Sequence, residues 1–526
     1  MKFPPAQPSR RIAPPMDFIV FEDEHLLAIN KPAGWNTHSP APFAGEGLYE
    51  WLRNREPRWS GLSIIHRLDK ETSGLIVFGK TPAANRSLTR QFEKGLARKT
   101  YLLLTDRKTT FQNLRVRSAL VRVGERYVVR PPHAGAAIAE TVFRRAGAMI
   151  QAAPLTGKTH QIRVHAAEHG FPILGDALYG GAPGPRLCLH AANLTLEHPA
   201  TRLPLSLSAP VDFAADSRLA LRAAIIDPAL TDAFRVLHGA ADGWPGLYID
   251  RLGDYLLAQS AAPLSAPQKE RVQECAFRLG SRGVYHKMLQ REDRAAPQCL
   301  WGTPAPQEFS IRENGPRFAL RLDEGYSAGL FLDQRDNRRR LLTRHIAAGF
   351  EIPAAPEILN AFAYTCGFSV CAAVAGARVT SLDLSKNYLD WGRRNFALNA
   401  IDPAGHDFIF GDAFDWLRRM ARKKRLFDVI LLDPPTFSRS KESGVFQAEK
   451  HYGMLAAAAL PLLKRGGILF ASTNAAGFAP EDFLESLTAA MSGRRVLQRH
   501  YAPQPPDFPV ERAEAAYLKT VWLRVD

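Results

Sequence analysis

The stretch HRLDKETSG, residues 66–74, sets one carboxylate, Asp69, between Arg67 and Lys70 in a chain that carries far more base than acid. Taken alone, Asp69 reads as a turn residue or a surface ion pair. The alternative is an acid kept for chemistry, with neighbouring cations favouring its charged form. A second set of acids lies far downstream. Asp383 stands 16 residues beyond Gly367, roughly the separation at which a doubly wound fold hydrogen-bonds a ribose diol. Asp433, Pro434 and Pro435 follow the apolar run FDVILL, at the strand edge where ligands bind in such sheets. GDAFDW adds Asp412 at another strand end. A strand-end Asp is often only a helix cap, and the geometry by itself would serve a dinucleotide or S-adenosylmethionine.

The cysteines, Cys188, Cys275, Cys299, Cys366 and Cys371, form no CxxC pair and have no matching His spacing. Neither a zinc site nor a disulfide framework is indicated, no metal is expected, and a reducing cytoplasm fits. His66, His160 and His165 are candidate bases, yet an isolated His more often packs or contacts a partner. Gly74, Gly157, Gly175 and Gly180 read as turn positions.

These residues need elements to hold them. Residues 1–16 hold closely spaced prolines and read as an irregular arm. From 17 to 212, β-rich runs such as LIVFGK, KTYLLL and RYVVR alternate with polar turns, with one clear helical period at about 82–95, so this part is mainly sheet. After SLSAPVDF, a short helix, RLALRAAI, precedes the strand-like GLYIDRLGDYLLAQS and GVYHKML, which flank a helix, PQKERVQECAFRL. From 356 apolar strands alternate with amphipathic helices, which implies a parallel, doubly wound sheet. No internal repeat is visible.

At 526 residues, with 46% hydrophobic and 23% charged content, the chain should fold as three or four globular units. The net charge is +16, with 28 Lys and Arg against 17 Asp and Glu in residues 1–212 and 40 against 35 in the rest. Such a basic front favours a polyanionic partner. The N-terminal stretch lacks an apolar signal region and no run of 18 apolar residues occurs, so neither secretion nor membrane spanning is expected.

The window IIHRLDKETSGLIVFGKT resembles the signature of the RluA branch of the pseudouridine synthases. The same order of motifs continues through NKPAGWNTH at 30–38, RKTYLLL at 98–104, LTGKTHQIRVHAAEHGFPILGDALYG at 155–180 and LCLHAANLTLEHPATRLPLSLSAP at 187–210. The resemblance implies that Asp69 is the catalytic acid, acting as nucleophile at the sugar carbon or as base toward the ribose. It also implies that Arg163 pairs with that acid, and that Tyr101 stacks on the base and takes part in proton removal from carbon. Arg67, with His66 beside it, would hold the target nucleotide out of its stack. Isomerisation gains and loses nothing overall, so no cofactor is implied. The small basic RNA-binding domain that often precedes this catalytic domain is not expected here, since only 16 residues stand before position 17.

Residues 228–526 resemble the S-adenosylmethionine-dependent methyltransferases of bacterial large-subunit ribosomal RNA, a family with cytosine-C5 and guanine-N7 members. The resemblance rests on TDAFRVLHGAADGWPGLYIDRLGD at 231–254, GYSAGLFLDQRDNRR at 325–339, ILNAFAYTCGF, DPPTFSRSK at 433–441 and the terminal EAAYLKTVWLRV. It implies Asn360, Phe362, Tyr364, Thr365, Gly367, Asp383 and Asp412 as cofactor contacts, joined by Phe331, Asp333 and Arg335 from a segment that closes over the cofactor. Asp433 would be catalytic, with Pro434 and Pro435 against the substrate base. Taken alone, LFLDQRDNRR reads as a charged helix start. Methylation at cytosine C5 normally uses a cysteine thiolate. The strand-end motif has none, GGILFASTNAAGF offers Thr473 and Asn474 where the C5 members carry one, and Cys366 and Cys371 read as packing residues. DPPTFSRSK and NYLDW look more like the guanine-N7 members, where a lone pair attacks directly, so the resemblance favours guanine N7 over cytosine C5.

The expected architecture is multidomain: a mainly antiparallel α+β synthase domain at 17–212, a small mixed α/β RNA-contacting subdomain at 213–325 and a Rossmann-like α/β methyltransferase domain at 326–526. Ribosomal RNA is the expected partner; oligomeric state is not readable. Two rivals stand: one domain serving only as an RNA-binding platform, and a dinucleotide-dependent oxidoreductase at the C-terminal fold.

Overall fold

The computed structural model describes residues 18–132, 138–289, 295–323, 327–440, 442, 444–491, 493–510 and 516–526. The expected arm at 1–16 lies outside the described residues.

The front of the chain builds one eleven-stranded sheet. Its spatial order is Ile19–Glu22, Leu26–Lys31, Ser73–Gly79, Leu189–Glu197, Arg98–Leu103, Met149–Pro154, Ile138–Ala146, Asn113–Val123 and Arg126–Arg130, with Ser63–Ile64 and Pro204–Ser208 pairing off this path. All pairings are antiparallel except Ser73–Gly79 with Leu189–Glu197. Ser73–Gly79 is buried along its whole length, as expected of a strand covered on both faces. Gly74 is not a turn residue: it lies inside that strand at φ +111°, where a Cβ would stand 2.3 Å from Ala191 O. The glycine lets two strands approach at this point. The helix Pro82–Glu93 starts on Thr81, whose hydroxyl accepts from Ala84 N, with proline in its first turn.

A five-stranded sheet follows, in sequence order from Ala233–His238 to Gln298–Gly302, with the helix Ala266–Arg278 crossing between its one parallel pair. Its apolar core is continuous with that of the front sheet, running from Phe18 and Trp51 through Phe213 and Leu221 to Ile249 and Val284. Each fully buried aliphatic or aromatic side chain contributes about 1.5–3 kcal/mol.

The C-terminal part is a seven-stranded sheet in the order Asp407–Phe410, Arg378–Asp383, Glu357–Ala361, Phe427–Leu432, Leu463–Thr473, Lys519–Val525 and Val496–Tyr501. The first five are parallel and the last two antiparallel. Chain order reverses between Glu357–Ala361 and Phe427–Leu432. That switch point is where an open α/β sheet leaves a crevice at its strand ends. No described helix is long and apolar enough to cross a membrane.

Candidate functional sites

The front sheet carries a cleft of about 1140 Å³. Asp69, Tyr101, Arg163, Arg67 and His66, separated by up to 97 positions in the chain, all line it. The loop bearing Asp69 is fixed through its backbone. The buried Lys31 ammonium donates to Lys70 O (3.0 Å), Trp35 O (2.8 Å) and Pro32 O (3.0 Å). Thr37 Oγ1 donates to Leu68 O (2.9 Å) and accepts from Leu68 N (3.2 Å). Burial pulls Lys31 down to about 7, against the opposing pull of Glu71 and Asp69.

Asp69 Oδ2 lies 3.8 Å from Arg163 Nη1 and 3.9 Å from His160 Nε2. Arg163 faces Asp69 at ion-pair distance, and a second carboxylate that the sequence did not announce holds it more tightly. The guanidinium is held bidentately by Asp176, at 2.7 Å on both oxygens, and Asp69 faces its remaining nitrogen at longer range. Arg163 also stands 5.1 Å over the Tyr179 ring, whose hydroxyl is 2.8 Å from His160 Nδ1. Asp176 is 2% exposed and follows Gly175, at φ +80°, where a Cβ would sit 1.8 Å from Arg186 O. Arg163 is thus a pre-set cation, its fork filled on one side and aimed on the other.

Tyr101 is buried, and that burial, with the Asp69 charge second, pushes its phenol well up. It enters as the protonated phenol, so proton removal by Tyr101 requires its own proton to leave first. His66 stacks on Phe92 (centroids 4.4 Å apart) and accepts from Val77 N at 3.1 Å. Burial takes it down to about 3, so it is a neutral wall of the cleft. Arg67 is exposed at the rim.

A second cavity, of about 650 Å³, opens at the switch point of the C-terminal sheet. Nine expected residues line it: Phe331, Asp333, Phe362, Tyr364, Asp383, Asp412, Asp433, Pro434 and Pro435. Four do not. Arg335 forms a buried bidentate pair with Asp507 (2.7 and 2.6 Å), so it holds the fold rather than the cavity. Asn360 donates to Ser369 Oγ beneath the loop, Thr365 Oγ1 donates to Gly329 O, and Gly367 faces Leu330, where a Cβ would lie 2.9 Å away. The charged stretch after Phe331 is not a solvated face either, because Arg338 pairs with Glu313 at 2.7 and 2.6 Å in the interior.

The loop after Glu357–Ala361 turns without a glycine run. Phe362, Tyr364 and Cys366 take left-handed conformations at φ 63°, 49° and 62°. Such positions cost about 1–3 kcal/mol each and persist where surrounding structure enforces them. At Tyr364 it is Asp383 that does so, its carboxylate accepting from Tyr364 N and Ser385 N, both at 2.8 Å. Asp412 caps the helix Ala413–Arg422 through Asp415 N (3.1 Å).

At the far end, Gln334 Nε2 donates to both Asp433 oxygens (3.4 and 3.3 Å) and to Ser472 Oγ (2.8 Å). Burial raises Asp433 to about 6, and the nearby Asp333 charge adds to the rise. Asp333 accepts from Tyr517 OH at 2.9 Å. Gln334, Asp176 and Tyr517 were missed by sequence reasoning. Asn474 also lines the cavity, accepting from Thr436 Oγ1 at 2.8 Å.

The cavity suits a cationic adenosine cofactor. Asp333, Asp383, Asp412, Asp433 and Glu442 face Arg418 and His451, and Phe331, Phe362, Tyr364, Tyr388 and Phe414 give aromatic walls. Carboxylates and aromatic faces both favour a sulfonium. None of the five cysteines lines it; Cys366 and Cys371 are buried, and burial pushes the Cys366 thiol up to about 12.

Residues 223–524 match the family model of S-adenosylmethionine-dependent methyltransferases, and residues 25–168 that of RNA pseudouridylate synthases. Among curated proteins, a ribosomal RNA large subunit methyltransferase of Deinococcus radiodurans is 36% identical over 326 residues, covering 59% of this chain and 78% of that protein. Ribosomal RNA large subunit methyltransferase K of Neisseria meningitidis serogroup B is 38% identical over 218 residues, covering 41% and 59%. A solved methyltransferase complexed with SAH is 28% identical with a TM-score of 0.51, covering 63% of this chain and 86% of that one.

Proposed function

We propose, from the premise that this chain belongs to the S-adenosylmethionine-dependent methyltransferase family and carries an RNA pseudouridylate synthase domain ahead of it, that it modifies ribosomal RNA twice, isomerising a uridine and methylating a guanine at N7. The units taken are 17–212, 213–325 and 326–526. Large-subunit ribosomal RNA as the substrate rests on the relatives' names.

In the front cleft, Asp69 supplies the carboxylate, as nucleophile at the sugar carbon or as base toward the ribose. Arg163, clamped by Asp176, balances its charge beside a negative RNA backbone. The glycosidic bond breaks, the base turns, and the ring rejoins through carbon. The carbon-bound proton then leaves, with Tyr101 stacked near the base. Nothing is transferred, so no cofactor is required.

At the C-terminal cavity, S-adenosylmethionine supplies a methyl group on a sulfonium. Asp383 and Asp412 are the residues that would hold its adenosine, with Phe331 and Tyr364 alongside. Asp433, oriented by Gln334, and the Pro434–Pro435 edge would present the substrate base. A nitrogen lone pair needs orientation rather than activation. The observation that carries the nitrogen reading is the absence of any cysteine from the cavity lining, since attack at cytosine C5 calls for a thiolate.

The experiment is nucleoside mass spectrometry of ribosomal RNA from cells with the wild-type gene, without it, and with Asp69→Ala or Asp433→Ala. Loss of one pseudouridine in the first variant and one methylguanosine in the second is expected. Loss of a 5-methylcytidine instead would sink the nitrogen reading, and no change in either nucleoside would favour the binding-platform alternative.

A further inference from the structure

The helix Leu48–Arg55 of the front domain ends inside the protein, where its last four carbonyls need partners. Glu56 N reaches Leu52 O at 3.4 Å. The other three carbonyls are met from residues almost 300 positions away. His345 Nε2 lies 3.3 Å from Arg53 O, Arg339 Nη2 donates to Asn54 O at 2.8 Å, and Arg339 Nη1 donates to Arg55 O. Arg339 is 2% exposed and forms no ion pair among the described residues; Arg55 and Arg340 repel it and Asp336 and Glu56 attract it only through space, so its direct partners are the two carbonyls. A buried arginine that spends its fork on two carbonyls is placed where the helix dipole favours a cation.

The other end of the same helix abuts the cleft. Leu48 N and Tyr49 N donate to Asn36 O and Thr37 O at 2.9 and 3.0 Å. Gly47 sits so close to His38 that a Cβ would stand 2.3 Å from its carbonyl carbon. Asn36, Thr37 and His38 all line the cleft, and the Thr37 hydroxyl bridges both backbone groups of Leu68, the residue before Asp69. An eight-residue helix is too short to hold itself, so the contacts at its ends decide where it lies.

We propose that Arg339 is a positioning residue for the pseudouridine synthase: the methyltransferase segment, by capping the Leu48–Arg55 helix, sets the Thr37 bridge that fixes Asp69 opposite Arg163. This rests on the reading of Asp69 as the catalytic carboxylate. Arg339 is not among the residues that line the cleft; it acts through the helix.

The test uses the full chain and ribosomal RNA labelled with [5-³H]uridine in cells lacking the gene, with tritium release to water as the readout, because forming the new carbon bond expels the hydrogen at that carbon. Arg339→Met and Thr37→Val should each lower kcat about tenfold with KM for RNA within about twofold, since a small misplacement of the acid slows the chemical step more than binding. Arg339→Lys, which keeps the charge but not the fork, should fall between wild type and Arg339→Met. Sites this far apart normally contribute independently. Here the double variant should be no slower than the slower single variant. A wild-type kcat in Arg339→Met, or losses that multiply in the double variant, would overturn the proposal. Should Arg339→Met fail to fold, the Arg339→Lys and Thr37→Val pair decides by the same criterion. If wild type releases no tritium, the synthase reading itself fails, which Asp69→Ala distinguishes by serving as the background.

Discussion

Replacing Asp176 by Asn tests the clamp on Arg163 without changing side-chain shape. The wild-type pair is two charge-assisted bonds of 2.7 Å between side chains 8% and 1% exposed. Asparagine keeps one acceptor, brings an N–H against the guanidinium, and removes the charge. Arg163 would then be a buried cation whose nearest carboxylate is Asp69, at 3.8 Å. Removing one partner of a buried pair costs about 3–5 kcal/mol of stability. The guanidinium should also shift toward Asp69, and a displacement of about 1 Å in such a site can cost about a hundredfold in rate. Tritium release at saturating RNA should therefore fall about a hundredfold, while methyl transfer by the same preparation stays within about twofold and serves as an internal control for folding. Thermal melting should show the front of the chain loosening at lower temperature. An Asp176→Asn enzyme that isomerises uridine at the wild-type rate would refute the claim that Asp176 aims Arg163.

Asp433, raised to about 6 by burial, should give methyl transfer that climbs between about pH 5 and pH 7 and then levels; Asp433→Asn should flatten that rise along with the rate. Lys31 is held at about 7 when folded against an ordinary 10.5, so the unfolded chain binds more protons between those values and stability should increase with pH across that window. Urea midpoints at pH 7 and pH 9.5 would show this slope in wild type and its absence in Lys31→Met. Because the front of the chain carries most of the net charge, RNA affinity should drop steeply with salt. Filter binding that stays flat between 50 and about 200 mM salt would remove the electrostatic part of the reading.

Much of the fold was legible because periodicity is a local property. The strand–helix alternation after 356 corresponds to the parallel sheet, and the β-rich front to an antiparallel one, down to single elements such as Pro82–Glu93 and Ala266–Arg278. Asp69, Tyr101 and Arg163 were visible through motif resemblance, and they share one cleft. What stayed hidden depends on partners that no local pattern announces. Asp176 was in view inside GDALYG, but nothing nearby says that its carboxylate belongs to Arg163. Arg335 looked like a cofactor contact until Asp507, 172 positions away, claimed it. Gly74 looked like a turn because the strand that crowds it comes 117 residues later. The left-handed trio Phe362, Tyr364 and Cys366 gave no signal, since the sequence shows none of the glycines that usually mark such backbone.

The capping of Leu48–Arg55 by Arg339 has a temporal side. A ribosome makes the helix first and its cap 284 residues later. At about 5–20 residues per second, about 15–60 seconds pass between the two. Throughout that interval the carbonyls of Asn54 and Arg55 must rely on water, and the loop before Asp69 lacks the fixed neighbour it has in the finished protein. The synthase, first in order, is complete only once Arg339 has been made, so nascent chains stalled before Arg339 should be found folded in part but slow to isomerise uridine.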